Sequence, residues 1–330
     1  MPKSEKQKLK LLYLVKMFKE KTDDEHWVSM ADIIEYLSEN GISAERKAIY
    51  DDINALNQFG YEIVGEKSGS SYHYRLAERE FEPFELRLLV DAVQSSKFLT
   101  EEKSRQLIKK LEHFTSDYKA SKIHKQVLVK NRVKTINKTV YYVMDAINEA
   151  MENDKTLSFE YKQWNTKKEL ELKKNGNKTA ISPWALVWND ESYYMIAYDP
   201  QAQKLKHYRT DKIFNAKVSA DEQRQGKEEF EKLDLAAYTK EHFNMFGGEM
   251  TTVKLECKNS AANFIVDKFG TEVMLVPSTE DTFTVNVEVA LSKMFYGWVL
   301  GFGGDVKIVA PKSARKEMKE RIKNAAKLYE

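Results

Sequence analysis

The chain has 330 residues, and its 53 lysine and arginine residues nearly balance 51 aspartate and glutamate residues, which gives a formal net charge of +2. This length predicts roughly two or three domains, and a hydrophobic content of 42% is enough to build their cores, which excludes wholesale disorder. The single cysteine excludes a disulfide scaffold and any zinc site with two or more thiolates.

The amino-terminal segment has the pattern of three helices. The first helix is predicted by apolar residues at i, i+3, i+4 and i+7, namely Leu11, Leu14, Val15 and Phe18. Ser29 and Asp32 have the spacing of a capping box at the start of a second helix, and Asn40-Gly41 ends that helix. We expect Ser43 to cap a third helix, which ends near Gly60.

After the third helix the apolar period changes from 3.6 to 2. Alternation at 61–63 and again at 72–76 predicts two strands, joined by a loop at 65–71. Three helices followed by a hairpin, with a tight turn between the second and third helices, indicate a winged helix-turn-helix over residues 1–76.

The third helix of such a module enters the DNA major groove, so its outward polar residues are candidate DNA contacts. Arginine, lysine and asparagine pair with base edges and phosphates, and a wing tip can reach the backbone. The predicted DNA-binding residues are Ser43, Arg46, Lys47, Tyr50, Asn54 and Lys67, with Asn57 also on the outward face. The alternative is a three-helix protein-interaction domain. Asp51 and Asp52 count against DNA binding, because carboxylates repel phosphates.

Residues 77–138 are predicted to form a loosely organised helical linker. Helix starts are expected at Glu82-Pro83 and at Thr100, whereas residues 119–134 are rich in lysine and poorly periodic.

The next segment, 139–220, begins with one helix and continues with short strands at 157–161, 170–172, 179–188, 193–198, 204–209 and 216–218. Asn175-Gly176 and Asn189-Asp190 are typical of hairpin turns. This density of strands predicts a small closed β-barrel of the SH3 or Sm type.

Residues 227–330 are predicted to follow the order β-α-β-β-α-β, which is that of ferredoxin-like domains. A basic helix from Lys312 to Tyr329 ends the chain. Gly301, Gly303 and Gly304 stand between a helix and a strand, so they are interpreted as a turn; a phosphate-binding glycine loop has the opposite order. The expected fold class is therefore a multidomain α+β protein.

Three segments resemble the WYL-domain family of transcriptional regulators. In I-S-P-W-A-L-V-W-N-D-E-S-Y-Y-M-I-A-Y-D and H-Y-R-T-D-K-I, within 180–213, the family's Trp-Tyr-Leu triplet corresponds to Tyr193-Tyr194-Met195, which keeps only the central tyrosine. Residues 44–61 resemble the family's winged helix-turn-helix, with Asp51 in place of a basic residue. Residues 297–322 resemble the carboxy-terminal extension that follows WYL domains. The resemblance spans nearly the whole chain.

The resemblance implies a bacterial or phage regulator whose WYL domain is a barrel that senses a nucleotide or a nucleic-acid fragment. Carried over to this sequence, the implied ligand-binding residues are Tyr193 and Arg209, with Lys206 and His207 as neighbours. An arginine provides a fixed fork for phosphate, and a tyrosine can stack on a base. The alternative for Arg209 is a structural salt bridge, for example to Asp211. We expect Tyr193 and Arg209 to lie on neighbouring strands and to face one anion-attracting pocket.

No motif in the sequence predicts catalysis, a metal site or a cofactor. The six histidines lack metal-ligand spacing, and Cys257 is expected to pack as a small apolar residue. No apolar run reaches the about 20 residues of a membrane span, so we expect a cytoplasmic protein. The leading hypothesis is a homodimeric, ligand-responsive regulator that binds a double-stranded DNA operator. The competing hypothesis is a nucleic-acid-processing enzyme, or its accessory subunit, that uses the WYL domain to grip nucleic acid.

Overall fold

The structure, a computed structural model, describes residues 8–123, 134–235, 238, 243–245 and 247–330. The chain divides into two units, Met1–Ile136 and Asn137–Glu330. Among the described residues, no helix has both the length and the apolar character needed to cross a bilayer.

The amino-terminal unit begins with three helices and a small sheet. The helices are α1 (Lys10–Lys21), α2 (Met30–Glu39) and α3 (Arg46–Phe59), and the strands are β1 (Val28–Ser29), β2 (Ile63–Ser68) and β3 (Ser71–Leu76). The sheet is antiparallel in the order β1-β3-β2. Its core includes Leu14 and Phe18 of the predicted first helix, together with Ile33, Ile49 and Ile53, whereas Leu11 of the predicted stripe is exposed.

Two details of this unit differ from the sequence prediction. Ser43 is not the N-cap residue of α3, because the helix begins at Arg46 after an extended Glu45, whose side chain makes no capping hydrogen bond. The hairpin loop is also shorter than expected. The strands pair as far as Ser68 and Ser71, which leaves a two-residue turn in which Gly69 has a φ of +61°. The predicted capping box of α2 is present, with Ser29 and Asp32 bonded reciprocally.

Three further helices follow in the same unit, α4 (Pro83–Ser95), α5 (Glu101–Glu112) and α6 (Asp117–Ile123). The expected helix starts at Glu82-Pro83 and at Thr100 are present. The α6 region contacts the loop after α1, where the Ser116 hydroxyl donates to Asp23 and the ring of Tyr118 stacks on that of His26. This segment is therefore packed against the three-helix module, although the sequence predicts a loosely organised linker. Residues 124–133 of the lysine-rich stretch lie outside the described residues.

The second unit begins with α7 (Val140–Glu152) and a five-stranded antiparallel sheet. Its strands are β4 (Lys155–Trp164), β5 (Leu170–Asn189), β6 (Ser192–Asp199), β7 (Lys204–Arg209) and β8 (Ile213–Gln223), in the order β7-β6-β5-β4-β8. The long strand β5 pairs with β4 through its first half and with β6 through its second half. The registered pairs describe a sheet with β7 and β8 at its two edges, whereas the sequence predicts a closed barrel.

One predicted hairpin turn is instead a bulge within β5. Asn177 pairs with Glu160 and Leu172 pairs with Lys162, so the residues between them bulge out of the strand. Asn175 has a φ of +58°, and a Cβ on Gly176 would stand 2.4 Å from the carbonyl oxygen of Tyr161. An Asn-Gly pair satisfies these backbone demands as well as it satisfies those of a turn. The second predicted turn is present, because β5 and β6 are joined by Asp190 and Glu191.

The rest of the unit contains a short helix, α8 (Lys227–Glu231), and a four-stranded sheet with three helices. The elements are β9 (Glu249–Lys258), α9 (Ala262–Phe269), β10 (Val276–Pro277), β11 (Thr282–Leu291), α10 (Lys293–Leu300), β12 (Val306–Ala310) and α11 (Lys312–Ala326). They follow one another in the predicted order, and the sheet order is β10-β11-β9-β12. Strand β10 has only two residues. Cys257 is buried in the apolar core, and burial raises the pKa of its thiol to about 11.

Candidate nucleic-acid interface and ligand cavity

Helix α3 presents a polar face in the amino-terminal unit. Arg46, Lys47, Tyr50 and Asn54 are all exposed, and their positions at i, i+1, i+4 and i+8 place them on one side of the helix. Arg46 and Lys47 are its first two residues, which is the end of a recognition helix that contacts base edges in helix-turn-helix proteins. Asn57 has another role: it donates to the carbonyl of Ile63 and accepts from the amide of Ile63.

The hairpin is attached to α3 by tyrosines. The Tyr74 side chain is buried, and burial together with a hydrogen bond to Tyr50 raises its pKa to about 12. Gly65 leaves the space for the Tyr74 ring, since a Cβ there would stand 2.8 Å from it. Lys67 is exposed on β2, opposite Tyr72. Ser43 is exposed in the turn before α3. The structure thus brings the predicted DNA contacts of α3 together, with Lys67 on the attached hairpin.

One of the two carboxylates that count against DNA binding is neutralised. The Lys10 ammonium lies 2.6 Å from the Asp52 carboxylate, and both side chains are largely covered. Asp52 therefore faces α1 and not the polar face. Asp51 stays exposed on α3.

The second unit contains a cavity of about 1,190 Å³ beside the edge strand β7. Its walls are β7, the β5 bulge and the chain entering β9. Six lining residues are cationic and two are acidic: Lys173, Lys174, Lys178, Lys204, Lys206 and Arg209 against Asp190 and Glu249. This excess of positive charge in a concave site attracts anions. We refer to it as the cationic cavity.

Arg209 lines the cationic cavity but is not free of protein partners. Its Nε and Nη2 atoms donate to the two oxygens of Asp211 at 3.0 and 2.9 Å. Burial opposes the charged guanidinium, but the bonds to Asp211 outweigh it and raise the pKa of Arg209. The Arg209 side chain is still 42% exposed. The salt bridge that was the alternative for Arg209 is therefore present, and Arg209 faces a cavity as well.

Lys206 and His207 also line the cavity, and each is held by the protein. The Lys206 ammonium lies 2.7 Å from the buried carboxylate of Asp199. The His207 ring uses both nitrogens, because Nδ1 lies 2.8 Å from the carbonyl oxygen of Met245 and Nε2 bonds the hydroxyl of Tyr238. His207 therefore fixes the segment after β8 against the edge strand, in addition to facing the cavity.

The prediction that Tyr193 shares the pocket with Arg209 is wrong in its geometry. The register places Tyr194, not Tyr193, opposite Arg209, and Tyr194 lines the cavity. Tyr193 packs edge-on against Trp188 with ring centroids 4.7 Å apart. Directly paired residues of an antiparallel ladder share a face, and the next residue along the strand lies on the other face. The tyrosine at the centre of the triplet is therefore the one beside Arg209.

Sequence reasoning missed three lysines of β5 that line the cavity: Lys173 and Lys174 in the bulge, and Lys178 just after it. They come from the run K-K-N-G-N-K at 173–178. The run itself was a visible signal, because it has the greatest density of lysine in the segment. The role of this run could not be predicted, because it depends on the pairing of β4 with β5, which places the lysines beside the same cavity as β7. Among the described residues, no cluster of three or more histidine, cysteine, aspartate or glutamate side chains could hold a metal ion.

Comparison with known protein families matches three segments. The profile described as WYL domain matches residues 142–218, that described as WCX domain matches 249–326, and that described as FokI, D3 domain matches 12–68. The first two lie in the unit that holds the cationic cavity, and the third runs from α1 through α3 to the end of β2 in the amino-terminal unit.

Two solved structures are similar to the chain at low identity. Proteasome accessory factor B/C (PafBC) of Arthrobacter aurescens is 18% identical with a TM-score of 0.30, and the match covers 99% of this chain. The chain spans about half of that protein, 49% of its length. A CRISPR Cas-related protein is 12% identical with a TM-score of 0.38, over 91% of this chain and 78% of the other. No curated protein sequence matches the chain.

Proposed function

We propose that this chain, which carries a WYL domain followed by a WCX domain, is a DNA-binding transcriptional regulator that senses a phosphorylated ligand. The observation that carries the proposal is the cationic cavity of the WYL domain. Three of its six cationic residues lie on the edge strand β7, which bears Arg209, and the other three lie on β5. A protein that merely packs against another protein has no need of such a concentration of positive charge in a concave site.

The ligand class follows from the cavity's size and chemistry. A guanidinium binds phosphate through a planar fork, and lysine ammonium groups add point charges at adjustable positions. Typical small-molecule sites measure about 300–1,000 Å³, so about 1,190 Å³ has room for a nucleotide or a short oligonucleotide. Tyr194 supplies an aromatic ring beside Arg209. Lys173, Lys174 and Lys204 are exposed and can turn toward a ligand.

DNA reading is assigned to α3 and the hairpin. Arg46 and Lys47 stand at the amino end of the helix, and Tyr50 joins that helix to the hairpin through Tyr74. A hairpin fixed to the helix holds Lys67 at a constant distance from it. Such an arrangement lets the helix enter a groove while the wing contacts the backbone.

We further propose that the protein acts as a homodimer on a pseudo-palindromic operator. Each subunit presents one recognition helix, and a two-fold axis would place two of them on equivalent half-sites. A ligand in the cationic cavity alters DNA affinity only if it binds one arrangement of the dimer better than another. The regulatory output therefore depends on differential ligand affinity.

The competing function is a nucleic-acid-processing enzyme or its accessory subunit. The two proposed functions differ in what happens to DNA after it is bound. A regulator binds one sequence tightly and leaves the strands intact, whereas the rival cleaves or modifies them. Incubating the full chain with the DNA upstream of its own gene, in a gel shift beside a nuclease assay, separates the two. Cleavage without specific binding would favour the rival.

The DNA-reading assignment is tested by replacing Arg46 and Lys47 with alanine together. The matched control replaces Lys109 and Lys110 of α5, two exposed lysines of the same unit. A lost phosphate contact should lower the slope of log affinity against log salt by about 0.9, and a lost base contact should cost about 1–3 kcal/mol. We expect the Arg46 and Lys47 variant to lose operator binding while the control keeps it. Equal binding by both variants would show that α3 is not the reader.

A further inference from the structure

The carboxy-terminal helix α11 carries a row of positive charges that neither the cavity nor the winged module uses. Its five members are Lys312, Arg315, Lys316, Lys319 and Lys323, and all are exposed. At 3.6 residues per turn they fall within an arc of about 100°, and the row is about 16 Å long. We refer to these five residues as the cationic stripe.

The stripe is left without counter-ions, although the same domain pairs its neighbouring lysines. Lys258 lies 2.7 Å from Asp305, and Lys307 lies 2.5 Å from Glu256. On α11 itself, Glu317 pairs with Arg321 at 2.8 Å, away from the stripe. In the part of the chain that the structure describes, no stripe residue forms an ion pair.

This arrangement works against the stability of the helix. Lys312 and Lys316, Arg315 and Lys319, and Lys319 and Lys323 are like charges four residues apart, which repel each other. The first turn holds no acidic residue, although acids there would favour the helix dipole. Glu317 and Glu320 lie on the same helix, but among the described residues neither forms an ion pair with a stripe residue. A partner that supplies negative charge along the row would relieve the repulsion.

The surroundings of the stripe indicate the kind of polyanion. A groove of about 440 Å³ beside it is lined by side chains such as Leu300, Met318 and Ile322, together with Arg315 and Lys319. None of the residues lining this groove is aromatic. Proteins that hold single strands rely on aromatic rings that stack on the bases. The surface therefore fits the phosphate backbone of a duplex better than exposed bases.

We propose that the cationic stripe binds the phosphate backbone of duplex DNA without reading its sequence. This contact lies outside α3 and outside the cationic cavity, and it does not rest on the function proposed for either. It would add affinity for any duplex and would make that affinity depend strongly on salt. With a formal net charge of only +2, the chain cannot obtain such binding from its overall charge and needs a local patch.

The test uses the full chain with a mixed-sequence DNA duplex and measures affinity from about 50 to about 200 mM salt. The stripe variant changes Lys312, Lys316, Lys319 and Lys323 to glutamine. The control variant changes Lys109, Lys110, Lys167 and Lys217, four exposed lysines outside the stripe, in the same way. Each lost phosphate contact lowers the slope by about 0.9. We expect the slope of log affinity against log salt to fall by about three to four in the stripe variant, and by less in the control.

Equal slopes in the two variants would overturn the proposal, as would a loss confined to a single strand of the same sequence. Folding is checked by thermal unfolding, in which the stripe variant should melt at or above the wild-type temperature because repulsion has been removed. The Arg46 and Lys47 variant runs in parallel. If that variant behaves as wild type while the stripe variant loses slope, the DNA-reading assignment fails and the stripe proposal stands.

Discussion

The carboxylate of Asp23 should control the acid stability of the amino-terminal unit. Asp23 is buried between α1 and α6, and it accepts hydrogen bonds from the Ser116 hydroxyl, the His26 ring and the backbone amides of Glu25 and His26. Burial alone would raise the pKa of Asp23, but these bonds outweigh it and lower the pKa from 3.8 to about 2. One pKa unit corresponds to about 1.36 kcal/mol, so the charged carboxylate contributes about 2 kcal/mol.

The sign of the pH dependence follows from the lowered pKa. The contribution is fully present above the unfolded value near 3.8, falls as the pH drops toward about 2, and is lost below it. Asp23→Asn should therefore cost about 2 kcal/mol at neutral pH, and its stability should approach that of the wild type as the pH falls from about 5 to about 2. Asp24→Asn is the control, because Asp24 is 68% exposed and its ion pair with Lys119 is worth about 1 kcal/mol at most.

Fluorine NMR of the fluorotryptophan-labelled full chain in urea can follow this unit selectively. Of the five tryptophans, Trp27 is the one in the amino-terminal unit, so its resonance reports the unfolding of that unit. A stability difference between wild type and Asp23→Asn that stays constant from about pH 5 to about pH 2 would refute the reasoning, because the charge of the carboxylate would then not be the source of the stability.

Two further substitutions test how local contacts hold the two candidate sites. Asn57→Ala removes two hydrogen bonds to the start of the wing and should lower the free energy of unfolding in urea by about 1–3 kcal/mol. The control is Asn54→Ala, an exposed position whose stability should stay near that of the wild type. Equal stability of the two variants would contradict the role given to Asn57. Gly176→Ala would place a Cβ 2.4 Å from the carbonyl oxygen of Tyr161, so it should lower the free energy of unfolding by about 1–3 kcal/mol and weaken phosphate binding in the cationic cavity. An unchanged melting temperature would show instead that the bulge can move aside.

Sequence periodicity predicted the elements better than their exact pairing. The strand at 204–209 and the order of elements in the carboxy-terminal domain were visible in the apolar pattern, because that pattern reports burial directly. Which residue faces the cavity was not visible. A shift of one residue moves a side chain to the opposite face of a sheet, so the choice between Tyr193 and Tyr194 depended on their register against Arg209.

Long-range strand pairing also determined local backbone features that the sequence near them leaves open. Asn175-Gly176 fits a hairpin turn and a bulge equally well, and only the continuation of β5 along β4 selects the bulge. That bulge carries Lys173 and Lys174 of the cavity, so the prediction of a turn also concealed part of the site. Likewise, Ser43 is a good capping residue type, but the cap is decided by where the backbone turns into α3, after Glu45.

The central claim is that Arg209 and the surrounding cations bind phosphate in the cationic cavity. Calorimetric titration of the full chain with adenosine monophosphate and with a terminally phosphorylated oligothymidylate tests it directly. Arg209→Gln should weaken binding about ten- to a hundredfold, which is the effect of one charge-assisted bond of about 1.5–3 kcal/mol. Asp211→Asn should bind as tightly as wild type or more so, because it releases the guanidinium from its carboxylate. Equal affinity of wild type and Arg209→Gln, or no binding of either probe to wild type, would contradict the claim.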